Sequence, residues 1–424
     1  MIRFGLIAVL LLATACGTSG PQAGGGEGAG GGTLHVWVLE DKLNATQQKA
    51  ADEFNKTSPV KVVIDKFNPD SYPDKLRVSI GSPNAPDVFF NWGSGSISPY
   101  VKAGELADLT PAFDADPAFK SAFLPAVLDV GKIDNKYYGV PLRGMQPVIL
   151  FYNKQVFGDA QPPKTWTELL SLVDRFKAQG VTPFALGGAT AWTELMWVEY
   201  LVDRFGGPDV FKRIYNGEPG AWRDPAVLKA AQAIRDLVDR GAFGTNYASV
   251  DYNSHAAETL FAKGRAAMHL MGSWEFTNHT ELQPDFAKNG LGFAPFPAVD
   301  GGTGDPANVV GNPTNFFSVT AKSKHQDTAI KFLKTMMSDS YVQGLLDAGD
   351  VPVLGSVEPK LASTPNPDFA RFQLDLVRKA PAFTLSWDQS LSSAGAQTML
   401  TTIQDLFNRK ITPEQFVANV ENVK

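Results

Sequence analysis

Apolar and polar positions alternate through residues 33–38, Thr-Leu-His-Val-Trp-Val, the period-two pattern of a half-buried strand. The period then changes. Leu43, Gln47, Ala50, Ala51 and Phe54 fall on one face of a helix. Residues 60–64 predict a second strand, 72–80 a second helix and 87–90 a third strand. Strand, helix, strand, helix, strand predicts a parallel sheet with helices on its faces.

A new apolar run starts at residues 139–142 and passes through Arg143, Gly144 and Met145 into a strand over 148–152. Thr165 and Glu168 have the spacing of a capping box, at the head of a helix that Gly180 stops. Asp224 and Pro225 open another helix; its stripe is Val227, Leu228, Ala231, Ile234, Leu237 and Val238, and Gly241 ends it. Residues 266–270 predict a strand, after which Gly272-Ser-Trp-Glu275 opens a helix. Residues 291–296 and 316–320 predict further strands. From Ala394 the chain is helical apart from a turn at 410–413, and it holds no internal repeat.

The beginning of the chain is of a different kind. Arg3, an apolar run over residues 6–12 and the small residues Ala13-Thr-Ala15 precede Cys16, the one cysteine. This is the layout of a secretory signal peptide, too short to remain as a membrane span. A cysteine at the cleavage point resembles the bacterial lipobox, although Leu12 sits one place early and Ala13 takes the usual leucine position. The expectation is a signal peptide over 1–15 and a lipidated Cys16, followed by a glycine-rich tether over 16–32. Gly26, Gly28 and Gly31 match G-x-G-x-x-G, but no strand precedes them and no helix follows, so no nucleotide site is expected. A single cysteine allows no internal disulfide.

The remaining body, about 390 residues, is too long for one core and suits two domains. A net charge of −6 argues against a nucleic-acid surface. The five histidines, at 35, 255, 269, 279 and 325, form neither H-x-H nor H-E-x-x-H. No metal and no cofactor are expected. Nucleophile-elbow and phosphate-loop motifs are absent.

The segments LHVWVLED, PDVFFNWGSG, YYGVPLRGMQPVILFYNK, FAKGRAAMHLMGSWEF, GNPTNFFSVTAKSKHQDTAIKFLK and LSWDQSL resemble, in order and approximate spacing, those of family 1 extracellular solute-binding proteins. These are the sugar-binding subunits of bacterial ABC importers, the group of maltose-binding protein. The resemblance covers residues 33 to 424. It implies an α/β, two-lobe periplasmic-binding-protein fold of type II with three interlobe crossings, near residues 143–145, 291–296 and 316–320. One lobe is then expected to hold 33–142 plus 297–316 and the other 146–291 plus 321–424. It further implies a monomeric, extracytoplasmic, lipid-anchored protein, not an enzyme, that delivers a short oligosaccharide to an ABC permease. Xylobiose or a longer xylo-oligosaccharide is the leading candidate, with cello- and chito-oligosaccharides as alternatives. A cell-surface glycoside hydrolase needs only two carboxylates about 5–10 Å apart, so composition does not exclude one; a sugar-sensing lectin-like protein would share the same binding chemistry.

A pyranose offers C–H patches that stack on flat aromatic rings, and a hydroxyl rim that needs planar donors and acceptors. Covering one tryptophan face contributes on the order of 2–3 kcal/mol. Trp92 lies beyond the third strand, at the carboxyl end where open α/β sheets place ligands. Trp274 and Trp387 match the family's cleft positions, and Trp192 is a weaker candidate. Trp37, Trp166, Trp197 and Trp222 are expected to pack in the interior. Polar candidates are Glu40 and Asp41 after the first strand, Asn91 beside Trp92, Arg143 at the first crossing, Asp388 and Gln389 beside Trp387, and Asn315 before the third crossing. Each has a plainer alternative: Asp41 as a helix cap, Arg143 as a salt bridge, and Asn312 and Asn315 as turn residues.

Overall fold

The computed structural model describes residues 31–69 and 71–423; the signal-like segment and Cys16 lie outside them. Thirteen strands occur among the described residues: β1 (Gly32–Leu39), β2 (Val60–Phe67), β3 (Val88–Asn91), β4 (Lys132–Ile133), β5 (Lys136–Tyr137), β6 (Val140–Pro141), β7 (Gln146–Asn153), β8 (Thr182–Ala185), β9 (Ala266–Gly272), β10 (Leu291–Ala294), β11 (Val309–Asn312), β12 (Phe316–Val319) and β13 (Phe383–Leu385). They build two mixed sheets, in the orders β2-β1-β3-β12-β6 and β13-β11-β7-β9-β8, and a β4-β5 hairpin.

The first sheet starts as its sequence pattern predicts. β1 pairs in parallel with β2 along its whole length and with β3 at Val36 and Trp37. Leu34, Val36 and Val38 are buried on one face, each contributing about 1.5–3 kcal/mol of apolar transfer. Trp37, on the other face, packs on Phe67 at 4.5 Å. β12 and β6 then add antiparallel.

In the second sheet β7 is the central strand. One edge pairs antiparallel with β9. The other is shared, β11 taking Gln146 and Pro147 and β10 taking residues 150–153. Trp166, Trp197 and Trp222 are buried around this sheet, as their positions predicted. Asp224 caps Ala226 with Pro225 behind it, and Gly241 ends that helix in the left-handed region at φ 75°. The capping box at Thr165 is only half formed. Thr165 Oγ1 accepts from Glu168 N, while the Glu168 carboxylate takes the Lys164 amide instead. A complete box stands at Thr412 and Gln415, where the sequence pattern suggested only a turn.

Three passages join the two bodies, and two of the three expected places shift. The first, between β6 and β7, lies at Arg143–Met145 as expected. The second is not at 291–296: Leu291 to Ala294 pair with β7, and Phe296 stacks on Tyr200 at 4.5 Å, inside the second core. It lies instead between β11 and β12, through Pro313, Thr314 and Asn315, just ahead of the 316–320 expected for the third, because Phe316–Val319 is already β12 of the first sheet. The assignment of 297–316 to the first lobe therefore fails up to Asn312, because β11 pairs with β7 and β13. The assignment of 321 onward to the second lobe fails in its first part too. The helices Gln326–Thr335 and Asp339–Asp347 bury Phe332, Leu333, Leu345 and Leu346 in the first core. The chain returns through the helix Pro367–Lys379, which places Phe369 in the second core and Leu374 in the first. Both errors have one cause: an amphipathic stripe states that a face is buried, not which of two sheets buries it. Among the described residues no helix is long and apolar enough to cross a membrane.

Candidate functional site

The loops at the carboxyl ends of β1 and β3, the first two passages and the start of the helix Trp274–Leu282 meet where the two bodies face each other. Two of the contacts between the bodies bear on this region. Lys42, after β1, donates to the Thr277 carbonyl at 2.7 Å and pairs with Glu281 at 3.1 Å, both on that helix. Thr277 Oγ1 in turn donates to the carbonyl of Ala348, on the first body, at 3.1 Å. Elsewhere Gly95 lies against the turn at Gln389 and Ser390. A Cβ on Gly95 would stand 1.9 Å from the Ser390 carbonyl oxygen, so only glycine permits this approach.

Three of the candidate aromatics keep part of their rings out of the interior. Trp92 is half-buried beyond β3 and meets Phe90 and Tyr72 edge-on at 5.1 and 6.1 Å. Trp192 and Trp274, also half-buried, come together around Tyr252. Trp192 is 4.6 Å from Tyr252 and 6.1 Å from Trp274, and Trp274 Nε1 donates to the Tyr252 hydroxyl at 2.9 Å. Gly272 makes room for the Trp274 ring, which would lie 2.0 Å from a Cβ there. Tyr252, which nothing in its local sequence marks, is the centre of this cluster.

Trp387 does not join them. It is 1% exposed, stacked on Phe211 at 4.5 Å and 2° and edge-on to Trp222 at 5.8 Å. Its amide and the Ser386 hydroxyl both donate to Glu199 Oε1, at 2.7 and 2.8 Å. Both faces of the ring are thus in the core, and it offers none to a ligand. Burial, helped by the charge of Asp388, pushes the Glu199 carboxyl up to about 8, and burial raises Asp388 as well. Asp388 Oδ1 and Gln389 Oε1 are buried without hydrogen-bond partners, on the short helix Trp387–Ser390 that packs against Ser94–Lys102 of the first body. Uncommitted acceptors at an interface suit ligand hydroxyls.

The remaining polar candidates divide in the same way. Glu40 is exposed at the end of β1. Asp41 accepts from the Leu43 amide at 2.9 Å, a local turn cap, and from Arg143 Nη1 at 3.0 Å. Arg143 Nε donates to Asp350 at 3.2 Å, and its side chain is 7% exposed. Burial opposes its charge, but Asp41 and Asp350 outweigh that and its pKa rises. Arg143 is accordingly committed to a buried ion-pair network, the plainer of its two expected roles. Asn91 is also committed: its amide donates to Ser318 Oγ at 2.8 Å and its oxygen accepts from Gly93 at 2.9 Å. Asn315 donates to Gln146 Oε1 at 3.0 Å, leaving its own Oδ1 buried and unpartnered, as is that of Asn312.

Residues 38–343 match the family of bacterial extracellular solute-binding proteins. The chain belongs to that family. An uncharacterized ABC transporter extracellular-binding protein of Pyrococcus horikoshii is 28% identical over 351 residues, 80% of this chain and 69% of its own. The diacetylchitobiose binding protein DasA of Streptomyces coelicolor is 26% identical over 359 residues, 82% of this chain and 80% of its own. A protein solved in work on xylan utilization by the thermophilic bacterium Caldanaerobius polysaccharolyticus superposes with a TM-score of 0.83 at 28% identity, covering 92% of this chain and 99% of that one. The two-body α/β architecture of this solute-binding protein is therefore the type II periplasmic-binding-protein fold expected from its sequence.

Proposed function

We propose that this solute-binding protein captures a short oligosaccharide between its two bodies and delivers it to an ABC permease. The observation that carries the reading is the Trp192–Tyr252–Trp274 cluster. Two half-buried indoles meet there: Trp274, oriented by a hydroxyl, heads the helix that reaches the first body through Thr277 and Glu281, and Trp192 stands beside it on the helix Ala191–Gly206. Sugar C–H faces stack on such rings. Trp92 and Glu40, on the first body, come onto the ligand when the bodies close, with Asp388, Gln389 and Asn315 offering acceptors to its hydroxyl rim. A ligand favours the closed form only to the extent that it touches both bodies there.

The leading ligand is xylobiose or a longer xylo-oligosaccharide, supported by the likeness to the protein from the xylan-utilization work. Chito-oligosaccharides are next, from the relative that binds diacetylchitobiose. Anchoring through a lipid on Cys16 and a monomeric state complete the proposal. Titrating the purified protein with xylobiose, cellobiose, chitobiose and maltose, reading tryptophan fluorescence, tests it. A saturable response to one class, with no product on prolonged incubation, is expected. Silence toward all of them would overturn the oligosaccharide reading, and cleavage would make the protein a glycosidase.

A further inference from the structure

Behind the aromatic cluster lies a group of residues that sugar binding does not use. His269 is on β9, and Glu275 and His279 occupy one face of the helix Trp274–Leu282, four residues apart. Their side chains are 1%, 0% and 0% exposed. His269 Nδ1 and His279 Nε2 both face Glu275 Oε1, at 3.4 and 3.5 Å, and one ligating atom from each of the three lies within 4.8 Å of the others. Both ring nitrogens of both histidines, and Glu275 Oε1, lack hydrogen-bond partners. Phenylalanine rings close the group in, with Phe261 5.8 Å from His269 and 5.5 Å from His279, and Phe286 5.2 Å from His279, while Gln283, its Oε1 buried, is the polar neighbour of His279.

These separations are long for hydrogen bonds to a carboxylate, which run about 2.7–2.9 Å. The two histidine-to-Glu275 separations do match the ligand-to-ligand edge of a tetrahedral zinc site, about 3.3 Å for metal–ligand bonds of about 2.0–2.1 Å, and the third edge is the one an ion would draw in. Each buried polar atom left without a partner costs about 1–3 kcal/mol, and one cation at the centre would satisfy three of them together. Two imidazoles and a carboxylate suit zinc among the divalent ions. An outer layer is also in place. Glu275 Oε2 accepts from the Tyr252 hydroxyl and from Asn278 Nδ2, each at 3.3 Å, and Asn278 Nδ2 lies 3.2 Å from Glu258 Oε1. Glu258 is itself buried and paired with His255.

We propose that His269, Glu275 and His279 form a buried divalent-metal site, suited to zinc, that ties β9 to the helix Trp274–Leu282. Its role is structural, because all three side chains are sealed from solvent, and a fourth donor such as a trapped water would complete the tetrahedron. No sequence motif announces it: the two histidines are ten residues apart on different elements, which is why the sequence predicted no metal.

The site is sealed, so the ion must enter during folding. The test unfolds the purified protein with denaturant and chelator, refolds it with or without zinc, removes loose metal by dialysis and measures metal content and melting temperature. The expected result is about one zinc per chain and a melting temperature at least about 5 °C higher than without zinc, both lost in His269→Gln and His279→Gln. Cobalt in place of zinc should give the visible band of a tetrahedral site. Wild-type protein refolded in excess zinc that retains far less than one ion per chain, with unchanged melting, overturns the proposal whether or not the variants fold. So does stoichiometric zinc that survives both substitutions.

Discussion

Glu194 carries the sharpest quantitative expectation. It sits in the first turn of the helix Ala191–Gly206, is 0% exposed, and neither carboxyl oxygen has a hydrogen-bond partner. A helix amino terminus favours a carboxylate by at most about 2 kcal/mol. Burial works against the charge and prevails, raising the group from 4.5 to about 9. The folded protein therefore holds Glu194 neutral where the unfolded chain ionises it. Stability from this group is complete below pH 4.5 and is lost as pH rises toward 9. At 1.36 kcal/mol per unit, the loss between pH 5 and pH 8 is on the order of 4 kcal/mol at most, and about 2–4 kcal/mol once the site relaxes. Glu194→Gln keeps the shape and removes the ionisation. Denaturant unfolding of both proteins at several pH values, with the transition followed by two probes, should show near-equal stability at pH 5. At pH 8 the variant should lead by about 2–4 kcal/mol. A difference that stays constant across that range would refute the reasoning.

Trp387→Ala should cost about 3–5 kcal/mol of stability by opening a cavity beside Phe211 and Trp222, while the folded fraction keeps its ligand affinity within about threefold; calorimetry and titration check both, and a large affinity loss at unchanged stability would return Trp387 to the site. Trp274→Ala should do the reverse, weakening oligosaccharide binding by about 2 kcal/mol or more; unchanged affinity in a folded variant would remove Trp274 from the site. Gly95→Ala places a methyl 1.9 Å from the Ser390 carbonyl, so it should push the bodies apart there, lower affinity at least about tenfold through the closed form, and enlarge the protein in small-angle scattering. Wild-type affinity in that variant would mean that the Gly95 contact plays no part in closure.

Local rules carried far. β1, β2 and β3, and the helix between Asp224 and Gly241, follow from period, cap and stop alone, because each signal is spent within a few residues. Trp387 shows where this ends. Its stacking partner Phe211 is 176 positions away, and a tryptophan that lines a cleft has the same neighbours in sequence as one that fills a core. Arg143 is similar, since Asp350, 207 positions on, decides whether its guanidinium is available. Tyr252 and the histidine pair were illegible for the same reason. What brings them together is the docking of the helix Trp274–Leu282 on β9, a tertiary event.

The first two passages between the bodies are joined to each other. Thr314 Oγ1, in the second, donates to the Arg143 carbonyl, in the first, at 2.9 Å, and Asn315 reaches across to Gln146 at 3.0 Å. Arg143 is itself fastened to Asp41 and Asp350 on the first body. A pivot made of two cross-linked strands bends readily about the line that joins them and resists both shear and axial twist. Bending about that line is thus the easiest motion open to the bodies, with the helix Pro367–Lys379, set into both cores, as the third tie between them. Under the proposed function, a membrane partner would then read one direction of closure.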